Sequence, residues 1–98
     1  MIIVIGSVVA VAGSVDEALA LSLEHVERSR TEPGCLSHAV HRDAEDPQRL
    51  VFVEEWADMA ALQEHFRVPA SRAFAKALAA LAAEAPSMSV YDAAPVRP

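Results

Sequence analysis

Apolar positions change their period several times along this chain, and each change marks an element. Residues 2–11 carry Ile or Val at both odd and even positions. β-Branched side chains suit a pleated surface, and apolar residues of both parities predict a strand covered on both faces. From Ala18 the period lengthens. Ala18, Leu19, Leu23 and Val26 recur at helical spacing, while Glu24, Glu27 and Arg28 fall elsewhere around the helix. Ser14 and Glu17 precede this run at the spacing of a capping box. "TEPG" (31–34) ends it, because Pro33 disfavours helix at Glu32 and Gly34 relieves the turn.

Two strand-like runs follow, Cys35–Arg42 and Leu50–Trp56, separated by "DAEDPQR". The Asp46-Pro47 turn signal and the short loop predict a β-hairpin. Asp58 can cap a short helix over Met59–Phe66. Pro69 at a first-turn position opens another helix to about Glu84, with Phe74, Leu78 and Leu81 inward. Pro86 stops it, and "SMSVYDA" alternates as a last strand. The order is β-α-β-β-α-β, a ferredoxin-like α+β fold with an antiparallel sheet, its second helix broken near Arg67–Pro69, and one domain spans residues 1–98.

Alternation sorts the hairpin side chains. Leu50, Phe52, Glu54 and Trp56 share one face, and Leu36, His38, Val40 and Arg42 share another. The two faces coincide if paired residue numbers sum to an even value, a register the sequence does not reveal. A carboxylate among Leu, Phe and Trp needs a donor, since an unpaired buried charge costs several kcal/mol. His38 or Arg42 could supply it; alternatively Glu54 lies solvated at the rim. On the short helix Leu62, His65 and Phe66 fall at i, i+3 and i+4, placing His65 on the apolar side. Trp56 ends the strand that leads into this helix. An indole and an imidazole at one end of the cleft can be core packing, or the wall and proton handler of a small-molecule site.

Composition narrows the chemistry. Hydrophobic residues make up 53% of 98 positions, more than a single small core easily hides, which hints at a homo-oligomer. The net charge of −6 and the absence of a basic run exclude nucleic acid as a natural partner. Cys35 is the only cysteine, which rules out an internal disulfide and a cysteine-cluster metal site. It reads as a small buried residue. His38 and His41 have a metal-like spacing, but an odd offset in a strand sends their rings to opposite faces. No Gly-rich phosphate loop follows a strand. His25 is expected in a solvent-facing or boundary position of the first helix. The apolar start lacks Lys or Arg ahead of it and is short for a membrane span, so a cytoplasmic, membrane-free protein is the expectation.

"EPGCL" before the second strand, "DPQRLVFVEEW" with its Glu54-x-Trp56, and "ALQEHFRVPASRAF" together resemble the antibiotic biosynthesis monooxygenase superfamily, including its quinol monooxygenases. The resemblance spans residues 32–74 and, through the element order, nearly the whole chain. It implies a homodimeric α/β barrel in which two four-stranded sheets pack face to face and helices cover the outside. It also implies a ligand cavity within each subunit, between sheet and helices. Trp56 and His65 match the family's tryptophan and helix histidine and are the expected catalytic pair. Glu54 matches its glutamate. His38, Phe52, Phe66, Arg72 and Phe74 are the other expected substrate contacts. Relatives that degrade haem place an asparagine in the first strand; this chain contains none, and Ser7 lacks an amide's two-sided hydrogen bonding.

The function so implied is a cofactor-independent monooxygenase that oxidises a quinol or polyphenol-like aromatic with dioxygen. No metal or organic cofactor is expected. His65 would be the base, Trp56 the stacking wall, and His38 or Arg72 a partner for developing negative charge. A small-carbonyl isomerase on the same fold, or a non-catalytic dimeric ligand-binding or stress protein, are the alternatives.

Overall fold

The computed structural model describes all 98 residues. The elements follow in the expected order: β1 (Ile2–Val9), α1 (Val15–Ser29), β2 (Cys35–Arg42), β3 (Arg49–Trp56), α2 (Met59–Arg67), α3 (Pro69–Leu81) and β4 (Ser87–Asp92). The break between α2 and α3 lies where Pro69 places it. Val68 is extended, as the residue before a proline prefers, and Pro69 then occupies the first turn of α3. Asp58 caps α2, its Oδ1 accepting from the Ala61 amide at 2.8 Å.

Two local expectations are corrected. Ser14 stands at the N-cap of α1, but its side chain makes no cap hydrogen bond; its ψ of 0° lies outside the extended conformation a capping side chain favours. The second correction concerns α3, which stops at Leu81 rather than near Glu84. Ala82 is extended and bridges to Ala10, and the Ala83 amide donates to the Val9 carbonyl at 2.7 Å. Pairing with the end of β1 overrides the helix preference of the alanines.

The sheet is antiparallel with strand order β2-β3-β1-β4. His38 pairs with Glu54 and Val40 with Phe52, so the two hairpin faces coincide. A register shift between Cys35 and Ser37 sets Cys35 opposite Trp56. Gly34, with φ of +82°, makes the turn into β2. A Cβ there would come within 2.5 Å of the Ala61 Cβ, so only glycine lets α2 lie against this turn.

All three helices pack on one face of the sheet. The other face is uncovered within the chain, leaving Ile5, Val53 and Tyr91 exposed on it. The expected double cover of β1 is therefore not supplied by this chain alone. On the covered face the core falls into two pieces. Ile2, Val4, Trp56 and Leu62 form one, and Val8, Ala10, Ala18, Leu50, Phe52 and Leu78 form the other. Between them β1 offers Gly6 and β3 offers Glu54, so the apolar layer is interrupted by a residue without a side chain and by a carboxylate. No helix is long and apolar enough to cross a membrane.

Candidate functional site

Three elements bring a histidine into that interruption. His38 comes from β2, where the even register turns it toward the helices; its side chain is wholly buried. His65 comes from α2, one turn beyond Leu62. His25 comes from α1, whose inward stripe is Ala18, Ser22, His25, Val26 and Ser29. This corrects the boundary position expected for His25, which is only 6% exposed. Ser22 and Ser29 can face inward because each hydroxyl donates to a carbonyl one turn back, Ala18 and His25 respectively, at 2.7 Å. The ring centroids of His25, His38 and His65 stand 5.3, 5.3 and 5.7 Å apart.

Each imidazole has a different polar neighbour. His65 Nδ1 lies 2.8 Å from Glu32 Oε1. An ionised carboxylate only accepts, so Nδ1 carries a proton, and in the neutral ring Nε2 is the nitrogen with the lone pair. His38 Nε2 approaches Glu54 Oε1 at 3.2 Å, yet neither ring nitrogen finds a partner in hydrogen-bonding geometry. Arg28 Nη2 donates to His25 Nδ1 at 2.8 Å and reaches Ser71 Oγ at 3.2 Å. His25 is also stacked on Phe74, with centroids 4.0 Å apart.

The electrostatics follow from burial and from neighbours. Desolvation is the largest influence on His25 and lowers its pKa; the His38, His65 and Arg28 charges lower it further, to about 3. It is a neutral ring at ordinary pH. For Glu54, burial pushes the carboxyl up. The adjoining His38 and the Trp56 indole, which donates to Oε1 at 3.0 Å, outweigh that and hold it below the usual carboxylate range. Glu54 is thus a buried carboxylate held by the Trp56 indole beside His38, and not a solvated rim residue. Burial, followed by the charges of Glu32 and Glu54, raises the Cys35 thiol, which suits an inert residue.

A cavity of about 240 Å³ opens beside this cluster, between the sheet and α3. Of the residues singled out from the sequence, Phe52, Glu54, His65, Phe66, Arg72 and Phe74 line it. Trp56 and His38 do not. The indole is fully buried behind His65, with centroids 4.6 Å apart, so it backs the imidazole and braces Glu54 instead of forming the expected stacking wall. His38 touches the site only through Glu54 and the other two rings. Gly6, His25 and Ser71 join the lining unannounced by the sequence reading. A Cβ on Gly6 would meet nothing closer than 3.4 Å, so the glycine leaves open floor and is not forced by the backbone.

The comparisons with known proteins agree with this architecture. The family model described as antibiotic biosynthesis monooxygenase matches residues 1–77. An uncharacterised protein of Synechocystis sp. is 32% identical over 93 residues, 95% of this chain; the chain spans 63% of that relative's length. A crystal structure of an antibiotic biosynthesis monooxygenase is 33% identical, covers 97% of this chain and 100% of its own, and superposes with a TM-score of 0.89. A candidate monooxygenase of the same kind from Deinococcus radiodurans shares the fold at TM-score 0.94 and 24% identity, covering 100% and 97% of the two chains. With the sheet order, the one-sided helices and the cavity between them in place, the chain belongs to the antibiotic biosynthesis monooxygenase family.

Proposed function

We propose that this protein is a monooxygenase that uses dioxygen to oxidise a small quinol or polyphenol-like aromatic held in the cavity beside His65. The observation that carries the reading is the pairing of His65 with Glu32 on the wall of an aromatic-lined pocket. His65 presents a lone pair on Nε2, and the carboxylate behind it stabilises the imidazolium formed when it takes a proton. Phe52, Phe66 and Phe74 offer ring faces and edges to an aromatic substrate, and Arg72 supplies positive charge at the rim.

Such a substrate needs no organic cofactor. Loss of its hydroxyl proton to His65 gives an electron-rich anion that reduces dioxygen directly and combines with it at a ring carbon. The peroxide so formed takes a proton to become a hydroperoxide; loss of the hydrogen on that ring carbon together with cleavage of the O–O bond then leaves a carbonyl on the ring and releases water, so each product receives one oxygen atom. The proton that completes the water can return from His65. The cavity sits below the roughly 300 Å³ at which ordinary ligand pockets begin, which favours one or two fused rings. The uncovered sheet face, with Ile5, Val53 and Tyr91, supports a homodimer formed through it.

Oxygen uptake in the presence of dihydroxynaphthalenes tests the reading. Turnover should consume dioxygen and cease under anaerobic conditions. Product formation that continues without oxygen would contradict it.

A further inference from the structure

We propose that His25, His38 and His65 form a binding site for one divalent first-row transition-metal ion, open on the side facing the cavity. One ring nitrogen from each histidine lies within 4.8 Å of one from each of the others, and all three residues are buried. The spacing fits a shared ion. Imidazoles bound through nitrogen to one tetrahedral zinc have centroids about 5 Å apart. The centroids here are separated by 5.3, 5.3 and 5.7 Å, so small ring rotations close the set.

Independent of that spacing, His38 is wholly buried and neither of its ring nitrogens has a hydrogen-bond partner. A buried polar ring left unsatisfied is destabilising, and an ion between the three rings would relieve one of its nitrogens. Carboxylates stand behind two of the rings. Glu32 Oε1 holds the Nδ1 proton of His65, and Glu54 Oε1 lies 3.2 Å from His38 Nε2. Metal-bound histidines are commonly oriented by a carboxylate hydrogen-bonded to the other nitrogen, as Glu32 orients His65.

His25 and His65 line the cavity while His38 lies behind it, so a bound ion would keep a position open toward the cavity. Three imidazoles select zinc, iron(II), cobalt(II), nickel or copper over magnesium and calcium. Arg28 opposes the ion, because its guanidinium occupies His25 Nδ1. Its second bond, to Ser71 Oγ, gives it a resting place when His25 turns. The site goes beyond the oxygenase reading and does not depend on it. In the metal-free chain the rings serve as base and packing, and in the loaded chain they are ligands.

Cobalt(II) added to chelator-stripped full-length protein, with no substrate present, tests this. One ion per chain should bind, with visible absorption of a four- or five-coordinate nitrogen-rich centre. Affinity should fall at least 100-fold in His25→Gln and in His65→Gln, about 10- to 100-fold in Glu32→Gln, and not at all in His41→Gln, which alters an exposed histidine. Arg28→Gln should tighten binding. Near-ultraviolet circular dichroism of Trp56 checks that each variant is folded. Copper(II) titrated into wild type should quench the Trp56 fluorescence at one equivalent, since the indole lies against His65. Absence of stoichiometric binding, binding that survives in folded His65→Gln, or binding that leaves Trp56 unquenched would each overturn the site. Oxygen uptake by the stripped protein is assayed separately, so loss of the metal proposal and loss of the oxygenase reading are distinct results.

Discussion

Glu32 Oε1 and His65 Nδ1 lie 2.8 Å apart, joining the turn after α1 to the inner face of α2 across 33 residues of sequence. The bond fixes the ring so that Nε2, not Nδ1, is the nitrogen that can accept a proton. Glu32→Gln keeps an oxygen able to accept from Nδ1 but removes the charge. Hydrogen bonds to charged groups exceed neutral ones by about 1 kcal/mol or more, so kcat should fall about tenfold. Steady-state oxygen uptake checks this, with KM expected to change little.

Gly6 supplies the cavity floor, and its replacement should fill the cavity from below. Gly6→Val adds a Cβ bearing two methyl groups where a Cβ has room, in a strand that otherwise favours β-branched residues. Ligand affinity should drop about tenfold, the size of a lost hydrophobic contact, while the thermal midpoint stays level or rises. Isothermal titration with a dihydroxynaphthalene and a melting curve read the two effects separately.

Acid should unfold the metal-free protein in two stages. His25 has a pKa of about 3 in the folded chain against 6.5 when unfolded, so below 6.5 the unfolded state binds more protons. Its contribution is complete above pH 6.5 and declines as the pH falls toward 3. At about pH 5 the loss is about 2 kcal/mol. Glu54, whose folded pKa lies below its ordinary 4.5, adds a second loss as the pH drops below that value. Urea midpoints between about pH 7 and pH 4 check the profile, and His25→Gln should flatten its upper part.

The uncovered sheet face carries a prediction of its own. Ile5 is 46% exposed at its centre, with Val53 beside it on β3. If a second copy covers this face, Ile5→Lys buries an unpaired ammonium in the interface and should shift the protein to monomers, a loss of about 3 kcal/mol or more. Sedimentation equilibrium reads the change in mass.

How much of this was legible in the sequence depends on the range of the interaction involved. The element order, the break at Pro69 and the Asp58 cap rest on neighbours a few residues apart, and the apolar periods and punctuation carry them. His65 was legible because Leu62 and Phe66 show which side of its helix is apolar. His25 was not. Its stripe is made of Ser22, Ser29 and Ala18, and serines face inward only because each bonds a carbonyl of its own helix. The small residues at 18, 22 and 29, spaced about one helical turn apart around position 25, were the available signal. The His38–Glu54 register needed pairing across the hairpin, and the Glu32–His65 bond leaves no local trace at all. Trp56 shows the converse limit. Position placed it near the cleft, but only packing shows that it stands behind His65.

Oxygen uptake by wild type and His65→Gln, with binding of the same dihydroxynaphthalene measured alongside, tests the central claim most directly. Removing the base should lower kcat by about 100- to 10,000-fold while leaving affinity within a few-fold of wild type. A His65→Gln protein that binds the aromatic and oxidises it at the wild-type rate would contradict the account.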